Sequence, residues 1–125
     1  MDKQTLLIVD DVLQVRKDLR TLLSLAGEIE VVGEASDGLE AIHLAETLHP
    51  DVILMDLEMP LLDGFEAAQT IKQARLQCKV IALTVHAYDA AREKAARSGF
   101  DAFIVKGAPV ETIIHLIERG ENDEH

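Results

Sequence analysis

The chain has 125 residues, 48% of them apolar, a formal charge of −11 and a single cysteine. That length suits one domain whose core stands without a disulfide or a structural metal, and the apolar content excludes a disordered chain. The acidic balance argues against direct nucleic-acid binding, and no apolar run reaches the roughly 20 residues of a membrane span; lone Cys78 and a start, MDKQTLLIVDD, unlike a secretory signal point to the reducing cytoplasm.

The first apolar run, TLLIV over 5–9, is continuous and rich in branched residues, which predicts a strand covered on both faces. It ends in Asp10 and Asp11, and helical spacing follows from about Val12 to Ala26. IEVVG over 29–33 predicts the second strand. Asp37 precedes Glu40 as in a capping box with Asp as the cap, so a second helix is expected from Gly38 to Leu48. DVILM over 51–55 predicts the third strand and leads into Asp56; Asp63 and Glu66 then repeat the capping pair ahead of a third helix, Gly64 to Arg75. KVIAL over 79–83 predicts the fourth strand, ending at Thr84. An alanine-rich helix from Ala87 to Ser98 follows, with Gly99 suited to the left-handed position after it. DAFIV over 101–105 predicts the fifth strand, Lys106 follows it, and Pro109 suits the first turn of a last helix reaching Arg119. That helix carries Val110, Ile113, Ile114, Leu116 and Ile117, an apolar face that fits deep burial or a homodimer or domain contact. The polar residues 121–125 are expected to fray.

Five alternating strand and helix units, short of the eight that close a barrel, predict an α/β fold: a doubly wound, five-stranded parallel sheet with right-handed crossovers. In such sheets ligands bind beyond the carboxyl ends of the strands, where strand order reverses. In the flavodoxin-like order 2-1-3-4-5 the reversal lies between strands one and three, and Asp10, Asp11 and Asp56 converge there, with Thr84 and Lys106 at the neighbouring strand ends. Each has an ordinary reading: Asp10 or Asp11 as a helix cap, Asp56 as a turn acid, Thr84 as a cap or loop hydroxyl, Lys106 as a solvated charge. Their coincidence at one edge favours a single site over independent caps.

Clustered carboxylates repel, so such a site raises a carboxylate pKa or recruits a hard cation; an all-oxygen set favours Mg²⁺. With the repulsion screened, Asp56 can act as a nucleophile toward a phosphoryl group, whose oxygens the Lys106 ammonium and Thr84 hydroxyl can bind.

The segments LLIVDD, VILMDLEMPLLDGFEAAQTIK, VIALT and FDAFIVKGA together resemble the receiver domains of two-component response regulators, over essentially the whole chain. The resemblance implies that Asp56 is the phosphate acceptor. It implies that Asp11 and Asp56 coordinate Mg²⁺ with the backbone carbonyl of Glu58, and that Asp10 acts through a metal-bound water. Thr84 and Lys106 would bind the phosphoryl oxygens, and Phe103 matches the switch aromatic, its ordinary reading being a core residue. The implied function is a phosphorylation-activated switch: it accepts a phosphoryl group from a sensor histidine kinase, reshapes the face formed by helix four, strand five and helix five, and pairs as a homodimer on phosphorylation. Many receivers follow the lysine directly with proline, often in a cis bond. Here KGAP moves the proline to 109, a spacing that looks more like the receivers of regulators carrying a LuxR-type helix-turn-helix. Residues 1–120 are then the receiver and 121–125 the start of a linker to an output domain outside this chain, so that DNA is reached only through that domain. Glu58 and His86 border the acceptor at positions that vary in the family, and the favoured reading of His86 is a surface residue.

Three rivals remain. A phosphatase that turns over through an aspartyl phosphate usually has a second acid two residues after the nucleophile, then Thr or Val, and a cap domain; DLEMP has Glu58 but not the rest. A flavin mononucleotide module would carry a Gly/Ser/Thr-rich phosphate loop after strand one, where none stands. A receiver-like scaffold that has lost phosphorylation would not be expected to keep all five polar positions.

Overall fold

The computed structural model describes residues 3–59, 61–74, 77–85 and 88–119. Strands and helices alternate: β1 (Gln4–Val9), α1 (Leu13–Ser24), β2 (Ile29–Ala35), α2 (Gly38–Leu48), β3 (Val52–Asp56), α3 (Gly64–Ala74), β4 (Lys79–Thr84), α4 (Asp89–Arg97), β5 (Ala102–Val105) and α5 (Val110–Arg119). All pairings are parallel and the order is β2-β1-β3-β4-β5, as expected. Among the described residues no helix is long and apolar enough to cross a membrane.

Alternation of side chains along each strand builds two cores. On one face Leu7, Val9, Ile53, Met55, Val80 and Ala82 pack against α2, α3 and α4; on the other Leu6, Ile8, Leu54, Ile81 and Ile104 pack against α1 and α5. Every residue of β3 is buried, which explains its unbroken apolar run. The apolar face of α5 goes mainly into the second core: Ile113, Leu116 and Ile117 are buried, and Val110 and Ile114 pack against them.

The element ends differ from the sequence reading for local reasons. β3 begins at Val52; Asp51 just before it keeps backbone bonds to Thr5 and Lys79, and its Oδ2 also accepts from the Thr5 N–H at 2.9 Å and hydroxyl at 3.0 Å. β3 then runs through Asp56, which pairs in register with Leu83. α1 is shorter than its apolar spacing because the N–H groups of Leu25 and Ala26 turn to carbonyls three residues back, tightening the last turn. Asp37 caps α2 through the Glu40 N–H at 2.8 Å, but Glu40 reaches back one residue further than a capping box, to the Ser36 N–H at 2.7 Å. Asp63 caps α3 through the Glu66 N–H at 3.0 Å, and Gly99 is left-handed after α4. Pro109 stands one residue ahead of α5 and accepts from Thr112 and Ile113. The predicted ends at Arg75 and Ala87, the polar end 121–125 and His86 lie outside the described residues.

Leu61, in the loop after β3, has φ +69° and is largely exposed. A branched apolar residue in the left-handed region is strained, and here no burial offsets it. Leu61→Gly is therefore expected to raise stability by about 1 kcal/mol, read as a higher urea midpoint at unchanged m-value. An unchanged or lower midpoint would contradict the strain.

Candidate functional site

The sheet brings the predicted residues together at its carboxyl edge. Asp10 directly follows β1, its N–H held by the Ala35 carbonyl at 3.1 Å, and is fully buried; Asp56 closes β3 with 3% exposure; Thr84 closes β4 and is also fully buried. Asp11 is exposed, so the group opens to solvent on its side. Lys106, one residue beyond β5, donates its N–H to the Thr84 carbonyl at 2.7 Å. Its ammonium lies 3.0 Å from Asp10 Oδ2 and 3.2 Å from Asp56 Oδ2, with the side chain 24% exposed.

The ordinary readings meet this geometry directly. Asp10 is not the cap of α1: Val12 is, without a side-chain bond, and Asp10 Oδ1 instead accepts the Val12 N–H at 2.9 Å. Asp56 is a strand residue rather than a turn acid, and its Oδ1 accepts the Glu58 N–H at 3.1 Å. Lys106 is wedged between two carboxylates rather than solvated. The Glu58 side chain is exposed, so Glu58 meets Asp56 through its backbone. Phe103 is buried on the α4 side of the sheet, with the Arg92 guanidinium 4.6 Å from its ring centroid.

Asp10, Asp11 and Asp56 each offer a carboxylate oxygen, all within 4.8 Å of one another, and could hold a metal ion. Asp10 Oδ2 is buried, and its contact is the Lys106 ammonium at 3.0 Å. Such an oxygen has a lone pair to spare for a cation, and the all-oxygen set suits a hard one.

Burial is the main force raising the Asp56 pKa. The Asp10 charge adds to it, and the Glu58 N–H and Lys106 oppose it. Burial alone would lower the Lys106 pKa, but Asp10 and Asp56 outweigh it and hold the ammonium above its ordinary value. A carboxylate with a raised folded-state pKa contributes most to stability when protonated. That contribution is present below the unfolded pKa and is lost as pH rises through the folded one. In Mg²⁺-free buffer near neutral pH, Asp56→Asn is thus expected to melt several degrees above wild type, the scale of about 1 kcal/mol in a domain of this size. The gap should close toward acid pH in melts across the range; a variant no more stable at neutral pH would contradict the burden.

Two residues escaped the sequence reading. Gly64 packs where a Cβ would stand 2.4 Å from the Asp56 carbonyl oxygen and 2.8 Å from Leu57 Cα. Its signal was the Asp63-Gly64 pair, read as the capped start of a helix and as part of the family pattern but not for close packing. Arg16 donates to the Asp10 carbonyl at 2.7 Å and pairs with Glu34; its signal was an arginine one turn into the helix after the acidic pair.

Comparison with known proteins gives a consistent likeness. A model of the response regulator receiver domain matches residues 6–118. Response regulator protein VraR of Staphylococcus aureus is 40% identical over 118 residues, 94% of this chain and 56% of that protein, so the chain spans about half the length of the curated relatives it matches. Among solved structures, the signal receiver domain of NarL from Mycobacterium tuberculosis superposes with a TM-score of 0.91 at 30% identity, covering 95% of this chain and 96% of that one. A DNA-binding response regulator of the LuxR family from Staphylococcus aureus gives a TM-score of 0.88 at 30% identity, covering 95% and 99%.

Proposed function

The chain belongs to the response regulator receiver domain family, and from that premise we propose that it is a phosphorylation-dependent switch with Asp56 as the acceptor. The observation that carries this reading is the Lys106 ammonium bridging Asp10 and Asp56 at 3.0 and 3.2 Å, in the same crevice as a third carboxylate. A sensor histidine kinase supplies the phosphoryl group. An Asp56 oxygen forms the new O–P bond, the N–P bond of the phosphohistidine breaks, and the imidazole leaves with the electron pair. Lys106, already beside Asp56, turns its charge to the incoming phosphoryl oxygens, and the buried Thr84 hydroxyl lies at the neighbouring strand end to bind another. Asp10, Asp11, Asp56 and the Glu58 carbonyl would hold Mg²⁺, which supplies positive charge against the three carboxylates and the phosphoryl group.

The α4, β5 and α5 face is the responding surface. α4 buries only Ala95, so little packing opposes its movement, and Phe103 lies beneath it on β5. The likeness to a DNA-binding regulator of the LuxR family supports an output in transcription control, exerted through a domain outside these residues. The chain itself then turns over no substrate beyond its own phosphorylation and slow hydrolysis.

Intact mass after incubation with phosphoramidate, with and without Mg²⁺ and beside Asp56→Ala, tests the reading. A gain of one phosphoryl group that requires both Mg²⁺ and Asp56 is expected. No gain in wild type, or an equal gain in Asp56→Ala, would sink it.

A further inference from the structure

Asp10 and Asp11 sit on the short connection between β1 and α1, and that connection is anchored at both ends. Asp10 Oδ1 takes the Val12 N–H at 2.9 Å, while Arg16 donates through Nη1 to the Asp10 carbonyl at 2.7 Å. The guanidinium is itself held. Its Nε stands 3.2 Å from Glu34 Oε1, and only 14% of the side chain is exposed. Glu34 Oε2 in turn receives Arg20 Nη1 at 2.8 Å. Glu34 lies near the end of β2, in register with Ile8 of β1, so the arrangement ties the first turn of α1 to the neighbouring strand. The Arg20 hydrogen bond, against burial and with help from Arg16, keeps Glu34 below the ordinary carboxylate range and therefore ionised.

A cationic donor binds a carbonyl more strongly than a neutral one, and a planar guanidinium paired through a second nitrogen has little freedom to turn away. We infer that Arg16 is a positioning residue for the phosphorylation site. It acts through the backbone of Asp10, setting the turn that aims the Asp10 and Asp11 carboxylates at a divalent cation. The inference rests on reading the acidic cluster as a Mg²⁺-assisted acceptor.

The test is a titration of Mg²⁺ alone into the ¹⁵N-labelled chain, followed by amide shifts, with phosphoramidate phosphorylation followed by mass. Wild type is compared with Arg16→Gln, Arg16→Lys and Arg20→Gln. Arg20→Gln loosens Glu34 but leaves the bond to the Asp10 carbonyl, so it measures the contribution of α1 packing alone. Arg16→Gln is expected to lose Mg²⁺ affinity about tenfold or more, the scale on which residues supporting metal ligands act. Arg20→Gln should change little, and Arg16→Lys, which keeps one cationic donor, should recover part of the loss. At saturating Mg²⁺ the phosphorylation rate of Arg16→Gln should return close to that of wild type. Wild-type affinity in Arg16→Gln, or an equal loss in Arg20→Gln, would overturn the inference and leave the site reading intact. Failure of wild type to bind Mg²⁺ would overturn both.

Discussion

Lys106→Ala is expected to slow phosphoryl transfer to Asp56 by about 100- to 1000-fold at saturating Mg²⁺, the range seen when one preorganised donor to developing charge is removed. The ammonium already stands 3.2 Å from Asp56 Oδ2 and is joined to β4 through the Thr84 carbonyl, so it needs little reorganisation to meet an incoming phosphoryl oxygen. The rate of mass gain from phosphoramidate measures this directly, and a rate within a few-fold of wild type would remove Lys106 from the chemistry. A second effect separates its charge from its bulk. Taking one partner out of a buried ion pair leaves the other uncompensated, so without Mg²⁺ the Asp10 and Asp56 carboxylates of the variant face one another and its melting temperature should fall. Mg²⁺ should restore it. Because the two carboxylates hold the Lys106 pKa up, the wild-type contribution persists below the ordinary lysine range and is lost only as pH rises through the folded value.

Gly64→Ala should destabilise the fold by about 2–3 kcal/mol, toward the upper end of overpacking costs, because the added methyl would meet backbone. Its nearest neighbours would be the Asp56 carbonyl oxygen and Leu57 Cα, which cannot turn aside as a side chain would. Relief must come from moving α3 away from the end of β3, which also disturbs the Gly64 N–H bond to the Leu57 carbonyl at 3.0 Å. Chemical denaturation measures the loss, and phosphorylation of the folded fraction should slow as well. Wild-type stability would mean that the α3 junction has slack the structure does not suggest.

The fold was legible because β1, β3 and β4, inside the sheet, are covered on both faces and so leave unbroken apolar runs in the sequence. The site was legible for a related reason: Asp10, Asp56, Thr84 and Lys106 each interrupt or end such a run, and the topology brings those ends together. What stayed hidden depends on distances between segments far apart in sequence. Nothing near Arg16 announces that Glu34, across the turn into β2, will hold its guanidinium. Nothing around Gly64 says that a carbonyl from β3 will occupy the space of its missing side chain. The face of α5 was ambiguous for the same reason, since the width of an apolar stripe does not name its partner; here the core takes Ile113, Leu116 and Ile117. Leu61 was misleading in the opposite sense, because its residue type gives no warning of a left-handed backbone.

Beyond the small core contact of Ala95, α4 rests two cations on aromatic faces, Arg92 at 4.6 Å from the Phe103 centroid on β5 and Lys94 at 4.3 Å from that of Phe65 on α3. This attraction extends to about 6 Å from a ring centroid and asks for no single docking angle. A side chain keyed into a core must climb out before its helix can travel, whereas a cation over a ring can glide across it with the contact still made. The helix is seated as on a plain bearing, with lateral play and a restoring pull, instead of being bolted down.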